Sequence, residues 1–235
     1  MKLSYVVAGA GLLALTACAT TEPAPVVPQP AALRYEEAMA TFAEADKAAM
    51  PPKCAFLFVG SSSIRFWRSL KEDFPDRQVI NRGFGGSTIG EVDWYFDKVV
   101  KPYHPQAIVF YAGENDINAG KSPADAYADF ELFMKLKDHA MGATPVWFIS
   151  SKPSKLRLAQ IPAQSELNAK VKALADKRDD LAYIDIVGAM MKPDGTPKDI
   201  FVEDNLHMTP DGYAIWTPIV DAALDAGQKA KAPGC

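Results

Sequence analysis

Hydrophobic residues along this chain fall into short runs that alternate with longer segments in which they recur at helical spacing. Residues 33–50 begin the pattern as a helix, which Pro51-Pro52 ends. Five short apolar runs then have the length of buried strands. They cover residues 55–59, 78–80, 107–111, 146–149 and 181–186. Helical patterns cover residues 63–73, 88–100, 123–140 and 162–178, and a last helix follows Thr209.

This alternation of strands and helices predicts an α/β domain. Strands that alternate with helices form a parallel sheet, and the right-handed crossover helices cover both of its faces. Ligands of open α/β sheets bind beyond the carboxyl ends of the strands. We therefore expect catalytic or binding residues in the segments that follow strands. These are residues 60–63, 81–87, 112–116, 150–154 and 187–208.

The N-terminal residues are typical of a bacterial lipoprotein signal. Met1-Lys2 gives a positive start, and an apolar stretch follows. Leu15-Thr16-Ala17-Cys18 resembles the lipobox, so we expect residues 1–17 to be removed and Cys18 to be lipidated. An uncleaved membrane anchor and simple secretion are the alternatives.

Residues 18–32 alternate proline with small residues, so we expect an extended tether between the lipid and the fold. Residues 33–235 then form one domain, a usual size for a single hydrophobic core. Lipidation implies the bacterial cell envelope, facing the periplasm. In that oxidising compartment Cys54 and Cys235 could form a disulfide, or remain a buried thiol and a frayed tail, and the sequence does not decide between them.

The formal net charge of −4 provides no basic field for nucleic acid or for an anionic membrane surface. We therefore expect membrane contact only through the lipid anchor, and a monomer. The sequence shows no histidine or cysteine cluster with metal-ligand spacing, so no metal or cofactor is predicted.

Three histidines are present, and the predicted strands separate them. His104 precedes the third strand and His139 lies on an amphipathic helix. His207 alone follows a strand at the edge where ligands bind. Asp204 lies three residues earlier, close enough to fix the imidazole tautomer and stabilise the imidazolium. The same pair could instead cap the helix that begins after Thr209.

A serine hydroxyl is a poor nucleophile until a base accepts its proton, so an Asp-His pair needs a partner. Residues 61–63 supply three serines after the first strand, where they could also cap a helix. Gly85-Gly86 allows close backbone approach to a ligand, and Asn115 offers a side-chain amide. Each of these is also common in ordinary turns. Their convergence on one edge indicates an acyl-transfer site.

These four blocks resemble, in their order along the chain, those of the SGNH hydrolases, also called the GDSL esterase/lipase superfamily. Gly60-Ser61-Ser62 corresponds to Gly-Asp-Ser, with Ser61 in place of aspartate. Gly86 corresponds to the oxyanion glycine, and Gly113-Glu114-Asn115-Asp116 corresponds to Gly-x-Asn-Asp. Asp204 and His207 correspond to Asp-x-x-His. The resemblance covers nearly the whole predicted domain.

The resemblance implies the SGNH hydrolase fold, a flavodoxin-like three-layer α/β/α sandwich with a five-stranded parallel sheet. It also implies a serine esterase or acylhydrolase in which Ser62 is the nucleophile, His207 the base and Asp204 the acid that orients it. The implied oxyanion donors are the backbone N–H groups of Ser62 and Gly86 and the amide of Asn115. Family substrates imply a small-molecule, glycan or lipid ester.

Two other functions stay open on the same residues. One is an envelope O-acyltransferase that uses the Ser62 acyl-enzyme, and the other is a noncatalytic glycan-binding lipoprotein that has kept the fold. A phosphate-binding protein is disfavoured because the chain lacks a P-loop lysine after Gly60.

The fourth strand is followed by three cations, Lys152, Lys155 and Arg157. They could meet an anionic group on the substrate, and Lys152 and Arg157 are the candidates for substrate contact. A solvated basic loop is the interpretation that we favour.

Overall fold

The computed structural model describes Met1 and residues 23–235. Five strands form one parallel sheet in the order β2-β1-β3-β4-β5, which confirms the predicted sheet. The strands are β1 (Phe56–Gly60), β2 (Val79–Gly83), β3 (Ala107–Tyr111), β4 (Val146–Ile149) and β5 (Leu181–Ile184). All positions of the central strand β3 are buried because helices cover both faces of the sheet.

Helices precede and follow the strands in the described part of the chain. They are α1 (Glu36–Ala48), α2 (Ser62–Arg65), α3 (Leu70–Asp73), α4 (Ile89–Trp94), α5 (Phe96–Val99), α6 (Glu114–Asn118), α7 (Pro123–Met141), α8 (Ile161–Ala175), α9 (Val187–Met190) and α10 (Pro210–Ala226). Two 3₁₀ turns are Lys101–Tyr103 and Leu158–Gln160. The result is the predicted three-layer α/β/α arrangement.

Alternate residues of each strand pack on opposite faces of the sheet. On one face Leu57 and Phe110 join a core with apolar residues of α1, α4, α5, α7 and α8. On the other face Phe58 and Val109 pack with α3 and α10, where Trp216 is fully buried. Two separate cores thus hold the sheet rigid between its helical layers.

The helices predicted over residues 63–73 and 88–100 are each divided in two. In the first, Trp67 lies between α2 and α3 with only 1% of its surface exposed. Its ring lies 5.7 Å from that of Phe58, and its Nε1 donates to Asp73 at 2.5 Å. The break in the helix accommodates this large buried side chain.

Strand β2 extends further than its apolar residues predict, because polar side chains of this edge strand find partners. Asn81 donates to the backbone carbonyl of Ile64 at 2.7 Å. Arg82 pairs with Asp46 of α1 and donates to the hydroxyl of Tyr103 at 2.6 Å. These bonds tie β2 to α2 and α1.

The predicted signal peptide after Met1 and the lipidation site Cys18 lie outside the described residues. Residues 23–35 carry no regular secondary structure and lead into α1. In the described part of the chain, no helix combines the length and the apolar character that crossing a membrane requires.

Cys54 and Cys235 form a disulfide, with their Cα atoms 5.5 Å apart. Cys54 immediately precedes β1, so the bond fastens the end of the described chain to the amino edge of the sheet. The sulfur of Cys235 also lies 3.8 Å from the carbonyl oxygen of His104, which confirms that His104 belongs to the same edge.

Breaking this disulfide should lower the free energy of unfolding by about 2–5 kcal/mol, because it closes a loop of 181 positions and so restricts the unfolded chain. Urea unfolding of the Cys54→Ala/Cys235→Ala variant and of reduced wild type measures the loss. Reducing agent should leave the double variant unchanged. Equal unfolding midpoints for oxidised and reduced wild type would show that the bond adds no stability.

Candidate active site

The candidate nucleophile lies where β1 ends at the carboxyl edge of the sheet. Ser61 and Ser63 are each 2% exposed, whereas Ser62, the first residue of α2, is half-buried and reaches the surface. Gly60 makes this turn with φ +132°, and a Cβ there would lie 1.9 Å from the carbonyl oxygen of Tyr111. Only glycine permits so close an approach of β1 and β3 at this point.

The imidazole of His207 bridges Ser62 and Asp204. Its Nε2 lies 2.9 Å from the Ser62 hydroxyl oxygen, and its Nδ1 lies 2.5 Å from a carboxylate oxygen of Asp204. The ring of Phe66 packs edge-on against the imidazole at 4.9 Å between centroids. The structure therefore brings together the three residues that the sequence singled out, in the order carboxylate, imidazole, hydroxyl.

A tight turn holds Asp204 beside His207. The second carboxylate oxygen of Asp204 accepts the backbone N–H groups of Leu206 and His207, each at 2.8 Å. These bonds lie within the turn, so the carboxylate does not cap α10, the alternative role considered from the sequence. Partial burial raises the pKa of Asp204, but the bonds from the His207 ring and from the two backbone amides outweigh it and lower the pKa to about 2. The carboxylate is thus ionised throughout the neutral range.

The three candidate oxyanion donors lie on the segments that follow β1, β2 and β3, at the same edge of the sheet as Ser62. The backbone N–H groups of Ser62 and Gly86 donate to none of the described residues, and Gly86 adopts φ +83°. The side-chain nitrogen of Asn115 donates one hydrogen to the carbonyl of Ser87 at 3.0 Å. Its second hydrogen stays available, because a primary amide has two.

Behind Asn115 lies a cluster of buried charges. Glu114 accepts from Lys152 at 2.9 Å and from the Tyr111 hydroxyl at 2.7 Å. Arg157 lies 3.1 Å from the other carboxylate oxygen of Glu114, and donates to the amide oxygen of Asn115 at 3.1 Å. This last bond fixes which way the amide faces, with its oxygen toward Arg157 and its nitrogen away.

The interpretation of residues 152–157 as a solvated basic loop is wrong for two of its cations. Lys152 is 1% exposed and Arg157 is 9% exposed, and both form ion pairs with Glu114 inside the protein. The candidate role of substrate contact is corrected for Lys152, whose ammonium group is buried and paired with Glu114. Lys155 stays at the surface, where it pairs with Asp199.

Glu114 and Tyr111 were not singled out from the sequence. The available signal was an acidic residue three positions after the end of a buried strand, which requires a cation when its side chain is also buried. The remaining histidines, His104 and His139, are exposed and lie away from Ser62 in the fold. Within the described residues, no group of three or more histidine, cysteine or acidic side chains could hold a metal ion.

Asp116 connects two loops of the site. Its carboxylate oxygens lie 3.0 and 3.1 Å from the backbone N–H of Ile89, the first residue of α4, and its side chain is fully buried. Burial is the main cause that raises its pKa to about 7, although Lys121 and the Ile89 N–H act in the opposite direction. Asp116 thus holds the loop of Asn115 against the loop of Gly86.

A raised pKa in the folded state means that Asp116 binds its proton more tightly there than in the unfolded chain. Its contribution to stability is complete below about pH 4 and is lost as the pH rises through about 7. Asp116→Asn should therefore flatten the fall in unfolding free energy over this range, measured by urea titration at several pH values. The exposed Asp76→Asn variant is the control. A slope equal to that of wild type would contradict the assignment.

Comparisons with known proteins support the family resemblance. Residues 58–215 match the sequence model of the GDSL-like lipase/acylhydrolase family. A Gallus gallus protein, platelet-activating factor acetylhydrolase IB subunit alpha2, is 26% identical over 170 residues, which cover 67% of this chain and 70% of that protein.

Two solved structures share the fold. A GDSL-like lipase from Bacteroides thetaiotaomicron superposes with a TM-score of 0.67 at 19% identity, covering 80% of this chain and 97% of that one. The catalytic domain of the Streptococcus pneumoniae peptidoglycan O-acetyltransferase A superposes with a TM-score of 0.57 at 14% identity, covering 77% and 98%. At these identities the two likenesses show the fold alone.

Proposed function

The chain belongs to the GDSL-like lipase/acylhydrolase family and is a hydrolase of esters, and from this premise we propose that it cleaves carboxylic esters through an acyl-enzyme on Ser62. One observation carries the proposal: the continuous hydrogen-bonded relay from Asp204 through His207 to Ser62. That relay joins a half-exposed hydroxyl to a base and to an acid that stays ionised, as nucleophilic catalysis requires.

The first chemical step is attack by Ser62. Its oxygen bonds to the ester carbonyl carbon while Nε2 of His207 accepts the hydroxyl proton, and Asp204 stabilises the imidazolium that forms. The tetrahedral intermediate collapses when His207 gives that proton to the leaving alkoxide. Water then attacks the acyl-enzyme along the same route, and Ser62 is restored.

The developing oxyanion accepts hydrogen bonds from the backbone of Ser62 and Gly86 and from the free amide hydrogen of Asn115. Each such donor lowers the barrier by about 3 kcal/mol in enzymes of this chemistry. Arg157 contributes by fixing the orientation of the Asn115 amide, since a flipped amide would present its oxygen to the oxyanion. We assign Arg157 as a positioning residue.

A second candidate function is acyl transfer by the same acyl-enzyme. The shared fold with a peptidoglycan O-acetyltransferase supports it, because the two reactions differ only in whether water or a sugar hydroxyl accepts the acyl group. Acyl transfer to a sugar that outpaces hydrolysis would favour this candidate. A noncatalytic glycan-binding role has less support, because a relay of this kind serves no purpose in binding alone.

The cellular setting is a further part of the proposal and rests on the sequence. We propose a lipid-anchored envelope protein, or a secreted one, on the basis of the apolar stretch and Cys18 in the first 18 residues. A glycan or lipid ester would be the substrate within reach of such a protein. Metabolic labelling with a fatty-acid probe, in wild type and Cys18→Ala, tests the anchor.

Ser62→Ala should reduce turnover of p-nitrophenyl esters by about a thousandfold or more, because it removes the attacking atom. It should also abolish labelling by a fluorophosphonate. Ser61→Ala is the matched control, since it removes a neighbouring hydroxyl that has no part in the relay. A chain-length series from acetate to longer acyl groups defines the acyl preference. Wild-type turnover by Ser62→Ala would refute the proposal.

Asp204→Asn should leave the protein folded and lower kcat by about a thousandfold to ten-thousandfold, since the amide favours the wrong imidazole tautomer. Circular dichroism verifies folding, and steady-state kinetics on p-nitrophenyl acetate measures the loss. Asp211→Asn, at an exposed acid in the first turn of α10, should keep wild-type turnover. A nearly unchanged kcat in Asp204→Asn would reduce this carboxylate to a turn-forming role.

A further inference from the structure

A concave surface lies beside the loops of the candidate active site. This groove, of about 730 Å³, lies between α1 and the α2–α3 segment, with the end of β2 and the following loop as its floor. Its α1 wall lies outside residues 58–215, the part that matches the family model. The groove is thus partly built from a helix outside the residues that match the family model.

Three cations of the groove have no ion-pair partner among the described residues: Arg65, Arg68 and Lys71. A fourth, Arg34, is neutralised by Glu91 at 2.8 Å. Elsewhere in the protein, basic side chains are commonly paired with acids, as Arg77, Arg82 and Arg178 are. Unpaired arginines beside a concave surface suit an anionic ligand.

Arg65 and Arg68 lie close to the aromatic ring that packs against His207. Their guanidinium carbons lie 5.4 Å (Arg65) and 5.7 Å (Arg68) from the centroid of the Phe66 ring, the same ring that packs against His207. A Cβ placed on Gly85 would lie 2.9 Å from the guanidinium of Arg65. Arg65 therefore lies against the loop that carries Gly86, the proposed oxyanion donor.

A tyrosine hydroxyl also lines the groove without a hydrogen-bond partner among the described residues. Tyr35 is 9% exposed, and its hydroxyl makes no hydrogen bond to a described residue. A Cβ placed on Gly86 would lie 3.4 Å from this hydroxyl oxygen. Burial and the nearby Glu91 raise the pKa of Tyr35 to about 12, so the group is a hydrogen-bond donor at neutral pH. It is thus a second donor that faces the space beside Arg65.

We propose that this groove is a subsite for an oxyanion, a phosphate or carboxylate, on the ester substrate, held by Arg65, Arg68 and the hydroxyl of Tyr35. The subsite would bind part of the substrate of the proposed esterase, so this proposal rests on that function. It places the anionic selectivity at Arg65 and Arg68, rather than in the segment after β4, where the sequence left substrate contact open as an alternative. Two acids of the groove, Glu37 and Glu72, disfavour ligands with further negative charge.

Direct binding tests the subsite independently of turnover. The probes for isothermal titration calorimetry on the full chain are sn-glycerol 3-phosphate and glucuronate, with glycerol and glucose as their neutral counterparts. The first anion represents a lipid headgroup and the second an acidic sugar. We expect at least one anion to bind, with an affinity that falls at high salt because the charges are close to solvent.

Arg65→Gln/Arg68→Gln should weaken that binding about tenfold or more, and Tyr35→Phe about threefold, in line with the loss of charged and neutral hydrogen bonds. Lys135→Gln, an exposed cation on α7, is the matched control and should bind as wild type does. Circular dichroism checks the fold of each variant.

Anion binding no tighter than that of the neutral probes, or equal binding by the double variant, would overturn the subsite. Hydrolysis of the p-nitrophenyl ester series by wild type is measured beside the titrations. Absence of hydrolysis for every ester of the series refutes the esterase proposal while the titrations still decide the subsite, so the two failures are distinguishable.

Discussion

The candidate site depends on a single contact between the hydroxyl of Ser62 and the imidazole of His207, two residues separated by 145 positions. The parallel sheet makes this contact possible, because the segment after β1 and the segment that follows β5 both lie at its carboxyl edge. The surrounding structure must hold these two side chains rigidly, since a hydrogen bond of this length tolerates little displacement. The two cores, the Phe66 ring and the turn at Asp204 supply that rigidity.

Local sequence patterns were sufficient for much of this architecture. Each of the five strands was predicted, as were the long helices, because their hydrophobic periodicity reflects burial on one or both faces. The Asp204 to His207 spacing and the serines after β1 could be placed at one edge by topology alone. Identifying Ser62 among its neighbours needed the family resemblance, and the structure adds that Ser61 and Ser63 are buried.

What the sequence could not provide were contacts between distant polar residues. Lys152 and Arg157 looked like solvent-exposed cations because nothing near them in the chain reveals Glu114, which lies 38 residues before Lys152. Strand β2 likewise extends through Arg82 because Arg82 pairs with Asp46, an acid on α1 that is distant in the sequence. The buried cluster contains two cations and one carboxylate, so a net positive charge lies behind the Asn115 amide. Removing Glu114 would leave two buried cations without a counter-charge.

The disulfide determines where polypeptide attached to Cys235 leaves the domain. It fastens Cys235 beside Cys54 and His104, at the edge of the sheet opposite the serine and histidine. Polypeptide attached after Cys235 therefore leaves the domain on the far side from the reacting groups. A carrier or solid support joined at that point would leave the candidate active site exposed on the opposite side of the domain.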